Sequence, residues 1–288
     1  MRVIRSVRSI QQLMKKAKAA GKTVGFVPTM GALHDGHRSL LRRCRRENDI
    51  VVLSIFVNPK QFAPMEDFAK YPRRERADKM LAKKEKVDIL FMPSGKEMYP
   101  EGYLTYIEVE RMTQGLCGRS RPGHFRGVTT VVGKLLNIVM PDVLYLGQKD
   151  VQQAAVLTRM TRDLNFPVTV KICPTVREAD GLAMSSRNQY LSVSQRKEAA
   201  VLYRSLREAR QSVAAGNRLA SAIISRIRSR IARESSGRID YIECVDADTL
   251  MPLKRIQGKA IVALAVWFGK TRLIDNIIVQ ACLPDRQA

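Results

Sequence analysis

The chain holds only three histidines, His34, His37 and His124, and the first two fall within four residues of each other in PTMGALHDGHRSL (28–40). Imidazoles one helical turn apart can present N–H donors to a single phosphate. The neighbouring residues favour that use. Gly31 and Gly36 permit tight or left-handed backbone where a ligand approaches closely. His37 falls near the start of a helical pattern, whose first-turn amides attract anions. A zinc centre fits less well, because no third ligand is placed to complete it. No residue is assigned to a metal.

Other polar residues recur at the ends of apolar runs. Asn58-Pro59-Lys60-Gln61 follows IVVLSIFV, Gly147-Gln148-Lys149-Asp150 follows VLYL with Gln153 one turn later, and Pro174-Thr175-Val176 follows VTVKI. A later stretch, DGLAMSSRNQYLS, sets Ser185, Ser186 and Arg187 after Met184. Two hydroxyls and a planar guanidinium there can hold phosphate. The stretch GRSRPGHFRGVTTVV (118–132) carries Arg119, Arg121, His124 and Arg126 among glycines. It reads equally as an anion-binding loop or as a basic surface turn.

The elements that must position these residues are legible as a pattern. From Thr23 to Val176, nearly continuous apolar runs (TVGFV, IVVLSIFV, VDILFM, VLYL, VTVKI) alternate with amphipathic stretches such as SLLRRCRREN. Strands buried on both faces read this way, and their alternation with helices predicts an α/β, doubly wound parallel sheet. In open parallel sheets ligands bind beyond the carboxyl ends of the strands, where the polar residues above cluster. The opening residues predict an amphipathic helix with Val7, Ile10, Leu13, Met14 and Ala17 on one face. After Ser194 the texture becomes two charged helices broken around Gly216, then apolar runs joined by a Gly-Lys turn, which predicts a smaller, antiparallel α+β domain.

Composition sets limits. At 288 residues and 45% hydrophobic the chain can bury a core, and no apolar run is long enough for a bilayer or a leader, so a cytoplasmic protein is expected. Five scattered cysteines (Cys44, Cys117, Cys173, Cys244, Cys282) have neither disulfide nor zinc spacing. The net charge of +23 draws polyanions, yet it is spread along the chain without a nucleic-acid module. Most of it is expected on solvated faces, with no nucleic-acid or membrane partner.

Taken together, the His-x-Gly-His pattern and the later Met-Ser-Ser-Arg loop resemble the class I aminoacyl-tRNA synthetase and nucleotidylyltransferase superfamily. Within it the chain closely resembles the pantoate–β-alanine ligase family, in VPTMGALHDGHRSL, SIFVNPKQF, YPR, GRSRPGHFRGVTTVV, LYLGQKDVQQ, PTVREADGLAMSSRNQYL, DYIECVD and RLIDN, in that order. The resemblance implies a Rossmann-like fold, with residues 1–175 as the ATP- and pantoate-binding domain and 176–288 as a smaller domain acting as lid. It implies a two-step reaction: pantoate attacks the α-phosphorus of ATP, and β-alanine then displaces AMP from pantoyl adenylate. By the same resemblance Met30, Gly31, Ala32, Leu33, His34, Asp35, Gly36 and His37 line the ATP site, with Gly147, Gln148, Lys149, Asp150, Val176, Met184, Ser185, Ser186 and Arg187. His37, His34, Lys149 and Arg187 carry catalysis, Gln61 and Gln153 hold pantoate, and Asn58 joins the substrate-binding set near the Mg²⁺–ATP phosphates. A homodimer is expected. Two rivals remain at this stage: a nucleotidylyltransferase acting on a phosphorylated acceptor, and a basic nucleic-acid-binding protein.

Overall fold

In the computed structural model, which describes residues 1–63 and 68–281, the apolar runs of the first half become parallel strands. These are β1 (Arg2–Ile4), β2 (Val24–Thr29), β3 (Ile50–Ile55), β4 (Ile89–Phe91), β5 (Val143–Gly147) and β6 (Thr169–Cys173). They lie in the order β1-β4-β3-β2-β5-β6, every pairing parallel. The expected α/β class is therefore the observed one. From β2 the chain winds outward to β3 and β4 on one side, and from β5 to β6 on the other. The switch point lies between β2 and β5, the position where such sheets bind ligands.

The helices that accompany these strands as far as β5 are α1 (Val7–Ala19), α2 (Asp35–Glu47), α3 (Glu75–Lys84), the short α4 (Gly95–Met98) and α5 (Cys117–Ser120), and the long α6 (His124–Val139). Ser6 caps α1 by accepting from the Ser9 amide, Lys16 and Lys18 sit in its last turn, and Ile10, Met14 and Ala17 face inward. On the α2 and α3 side of the sheet, Leu40, Leu41, Cys44 and Ala82 pack with Val27, Val51, Leu53, Leu90 and Tyr145. Strand β1 was not expected from the sequence. It is three residues long and mostly exposed, so it leaves no apolar run to read.

Two compact units divide the chain. The first comprises Met1–Glu110, Ser120–Gln148 and Val156–Pro174; the second takes Arg111–Arg119, Lys149–Ala155 and the chain from Thr175 on. Helix α7 (Val151–Asp163) is shared between them in sequence. In the second unit α8 (Val193–Glu198), α9 (Val201–Ala214) and α10 (Ala220–Glu234) precede an antiparallel sheet of β7 (Arg238–Asp246), β8 (Lys259–Phe268) and β9 (Thr271–Gln280). Gly216, left-handed at φ 93°, ends the α9 region, and Gly269-Lys270 makes the turn between β8 and β9. Leu202, Leu206, Ile223 and Ile227 from the helices bury against Val262, Leu264, Leu273 and Ile277. Each such side chain contributes about 1.5–3 kcal/mol.

No helix among the described residues is long and apolar enough to cross a membrane. Cys44, Cys117, Cys173 and Cys244 are buried free thiols, and Cys282 lies outside the described residues.

Candidate active site

The paired histidines form a helix cap. His34 is the N-cap of α2, and its Nδ1 accepts from the Gly36 amide at 3.1 Å. His37, at the third helical position, accepts the His34 amide on its own Nδ1 at 3.3 Å. This is the reciprocal arrangement usually built from Ser or Thr and Glu. It also sets the ring chemistry. An Nδ1 that accepts from a backbone N–H carries no proton, so in the neutral ring the proton is on Nε2. The two rings lie 4.2 Å apart between centroids. The site thus holds two imidazoles whose outer nitrogens are N–H donors, the polarity an anionic ligand requires.

The loop that leads into the cap is held from α3. Asp78, 3% exposed, accepts the Ala32 amide at 3.0 Å and the Leu33 amide at 2.8 Å. Gly31 and Ala32 are both left-handed, at φ 86° and 51°. The Ala32 and Leu33 amides are thus bonded to the Asp78 carboxylate, and Asp35 pairs with Arg38 at 2.7 Å.

Beyond β3, Asn58 caps a short 3-10 turn, Pro59–Gln61, in which Gln61 is buried. Helix α6 approaches this turn closely because residue 127 is glycine. A Cβ there would lie 2.2 Å from the Lys60 carbonyl oxygen. The Gln61 carbonyl accepts from His124 Nδ1 at 2.9 Å, while Arg121 donates to His124 Nε2 at 3.1 Å. His124 therefore has the opposite tautomer to the other two. Of the open readings for 118–132, this part serves as a brace on Gln61. Arg126 lies 4.0 Å over the Tyr106 ring.

The remaining expected residues lie on other elements of the two units. Gly147 ends β5 and Gln148 starts a 3-10 turn, both in the first unit. Lys149, Asp150, Gln153, Val176 and Met184 to Arg187 are in the second unit. There Lys149 Nζ stands 3.6 Å from Asp150, and the Lys149 carbonyl accepts from Asn276 on β9 at 3.0 Å. Val176 and Met184 are joined by a backbone hydrogen bond of 3.0 Å across a turn at Gly181, φ 92°. Arg177 anchors that turn through a two-pronged pair with buried Asp275, at 2.6 and 2.9 Å. Ser185 Oγ then accepts the Arg187 amide at 3.2 Å. Arg196 grips Asp180 and Glu178 and, by hydrogen bonding, holds the Asp180 carboxyl below its ordinary range. Gln152, beside half-buried Gln153, is spent on the Cys117 amide and the Met112 and Gly115 carbonyls. Among the described residues no group of three or more His, Cys, Asp or Glu is disposed to hold a metal ion.

With this geometry in hand, comparison with known proteins is decisive: the profile of the pantoate–β-alanine ligase family matches residues 2–278. The chain belongs to that family. Pantothenate synthetase of Moorella thermoacetica is 52% identical, covering 97% of this chain and 99% of its own. That of Heliobacterium modesticaldum is 54% identical over 97% of this chain and its whole own length. The crystal structure of the Thermus thermophilus enzyme superposes with a TM-score of 0.91 at 45% identity, covering 96% of this chain and 99% of its own. The Francisella tularensis ligase, solved with beta-gamma ATP and beta-alanine, gives 0.80 at 35% identity, covering 96% and 97%. Family membership makes this chain an enzyme, a ligase.

Sequence reasoning missed Asp78 and the Arg177–Asp275 pair. Asp78 left a signal: it shares the buried stripe of α3 with Ala82, four residues on. An acid on an apolar stripe has a partner to find.

Proposed function

We propose that the enzyme condenses pantoate with β-alanine to pantothenate at the expense of ATP, through pantoyl adenylate. The observation that carries this reading is the family match along nearly the whole chain. The ligand set of the Francisella relative supports ATP and β-alanine as substrates.

In the first step a pantoate carboxylate oxygen forms a bond to the α-phosphorus, and the bond to the β-phosphate oxygen breaks. Pyrophosphate leaves with its electron pair. The nucleophile is already an anion, so no general base is needed. What requires stabilisation is charge on the phosphoryl oxygens and the departing pyrophosphate. The Nε2–H groups of His34 and His37, with Lys149 and Arg187, supply it. Mg²⁺ arrives with the triphosphate as part of the substrate.

Gln61 and Gln153 hold pantoate by its hydroxyls and carboxylate, with Met30 to His37, Gly147 to Asp150, Val176 and Met184 to Arg187 contacting the nucleotide. In the second step the β-alanine amine attacks the acyl carbon and AMP departs, the amine losing a proton to solvent or phosphate. Residues 176–288 act as the lid expected from the family. The enzyme works as a cytoplasmic homodimer on small molecules, without a nucleic-acid or membrane partner.

The test is exchange of labelled pyrophosphate into ATP, with pantoate and Mg²⁺ and without β-alanine. Pantoate-dependent exchange is expected. Its absence in folded protein that binds ATP would overturn the adenylate.

A further inference from the structure

An amide side chain that binds a ligand shows it either N–H₂ or C=O, and the two differ by a flip of the amide plane. For Gln61 a chain of hydrogen bonds that starts at the backbone makes the choice. Asn58 is 1% exposed. Its Oδ1 accepts from the Lys60 amide at 3.2 Å, and its Nδ2 donates to the Gly127 carbonyl at 3.0 Å. A backbone N–H only donates and a C=O only accepts, so these two contacts fix the Asn58 amide. The other Nδ2 hydrogen faces the Gln61 side chain at 3.2 Å, which must turn Oε1 toward it. Gln61 Nε2 is thereby left on the opposite side, 3.0 Å from Met30 Sδ.

One position on Asn58 remains, the second lone pair of Oδ1. The Tyr99 hydroxyl fills it at 2.9 Å. All four hydrogen-bonding positions of Asn58 are then used within the protein, and none is left for a substrate or a metal.

Tyr99 is well seated for the task. It follows α4 directly, its ring packs between Phe56 (6.2 Å between centroids) and Tyr103 (5.0 Å), and Lys134 lies 5.8 Å over its face. Burial pushes its hydroxyl well above the usual tyrosine range, so it stays a donor at neutral pH.

We propose that Tyr99 is a positioning residue for pantoate: its hydroxyl, acting through Asn58, holds the Gln61 amide with N–H₂ presented as donor. Asn58 acts by the same route and is not itself a substrate ligand. The inference rests on the assignment of Gln61 to pantoate made above, since N–H₂ suits the acceptors of a carboxylate and its hydroxyl oxygens.

Steady-state kinetics on Tyr99→Phe, Gln61→Ala and the double variant test this. Tyr99→Phe is expected to raise the pantoate KM about three- to tenfold, the usual effect of one hydrogen bond, with the ATP KM and kcat within about twofold. In the Gln61→Ala background it is expected to add nothing, because there is no amide left to orient. A merely structural role would lower kcat with the amount of active enzyme, equally in either background, and that result would overturn the proposal. So would an unchanged pantoate KM in Tyr99→Phe when Gln61→Ala raises it. If Gln61→Ala itself leaves the pantoate KM unchanged, the assignment of Gln61 fails first and the relay has no target. Asn58→Asp reads the same relay should Tyr99→Phe not fold. It sets an oxygen against Gln61 Oε1, and the pantoate KM is expected to rise more than about tenfold while the ATP KM holds. Equal rises in both would overturn the proposal.

Discussion

Replacing Asp78 with alanine removes the acceptor of two backbone N–H groups at once, those of Ala32 and Leu33. A hydrogen bond to a charged acceptor contributes about 1.5–3 kcal/mol, so the loss is bounded at about 3–6 kcal/mol. Leu33 is only half-buried, so its freed amide can turn toward water, which lowers the expected loss to about 2–4 kcal/mol. For a chain of this size that is a fall of roughly 5–12 °C in Tm.

Activity should suffer further. Ala32 is held left-handed at φ 51°, a conformation that costs a non-glycine residue about 1–2 kcal/mol. Freed from the Asp78 carboxylate, the loop relaxes and carries His34 with it. A displacement of that kind costs on the order of 10² in kcat/KM for ATP. Asp78→Asn should fall between, since it keeps one acceptor but turns an N–H₂ toward the other amide. Urea unfolding followed by circular dichroism, with ATP kinetics on the folded fraction, measures both. An Asp78→Ala stability within about 0.5 kcal/mol of the parent, with unchanged ATP kinetics, would mean the two amides find other acceptors and that Asp78 does not hold the loop.

His37→Ala is expected to lower kcat by about 10²–10³ with folding intact, and near-parental turnover would remove His37 from charge stabilisation. Gly127→Ala drives a Cβ into the Lys60 carbonyl, so the turn carrying Gln61 must move. The pantoate KM should rise there more than the ATP KM, and equal kinetics would show that α6 can back away. Glu47 contributes to the pH dependence of stability. The Lys171 ammonium and then the Tyr145 hydroxyl, each bonded to it at 2.8 Å, lower its carboxyl from 4.5 to about 2. A depressed carboxyl stabilises the fold above its unfolded value and loses that contribution as pH falls through the folded one. Glu47→Gln should therefore melt below the parent at pH 7, with the gap closing between about pH 4.5 and 2; a gap constant with pH would rule this out.

Much of this architecture was legible because burial on both faces leaves a continuous apolar run. TVGFV, IVVLSIFV, VDILFM and VLYL each mark such a strand, VTVKI marks the edge strand β6 although only Cys173 of it is buried, and the Gly-Lys pair marks the turn between β8 and β9. What the sequence concealed is partnership. Arg42, Arg43 and Arg45 on α2 read as a solvated basic face, yet Arg42 pairs with Glu85, Arg43 with Glu47 and Arg45 with Asp88. Glu85 also takes Arg38 from the same helix at 2.8 Å. None of these acids is nearby in sequence except Glu47, so spacing could not announce them. Tyr99 was hidden for the same reason, lying 41 positions from the Asn58 it serves.

The two close-set histidines show why residue type and spacing can be informative when partnership is not. A cap at the start of α2 could be built from Ser and Glu, with one oxygen accepting at each end. Imidazole does the same with Nδ1 and still has Nε2, on the far side of the ring, as a donor. The spacing of three is the cap's requirement, since each ring must reach the other's end of the first turn. Under the proposed function histidine also suits the anionic ligand, since a carboxylate in the same position would face an anion with lone pairs only. In that reading both demands fall on residues 34 and 37, so the motif is legible as a local pattern. The groups that hold Gln61, by contrast, come from three separate elements and meet only once the chain has folded.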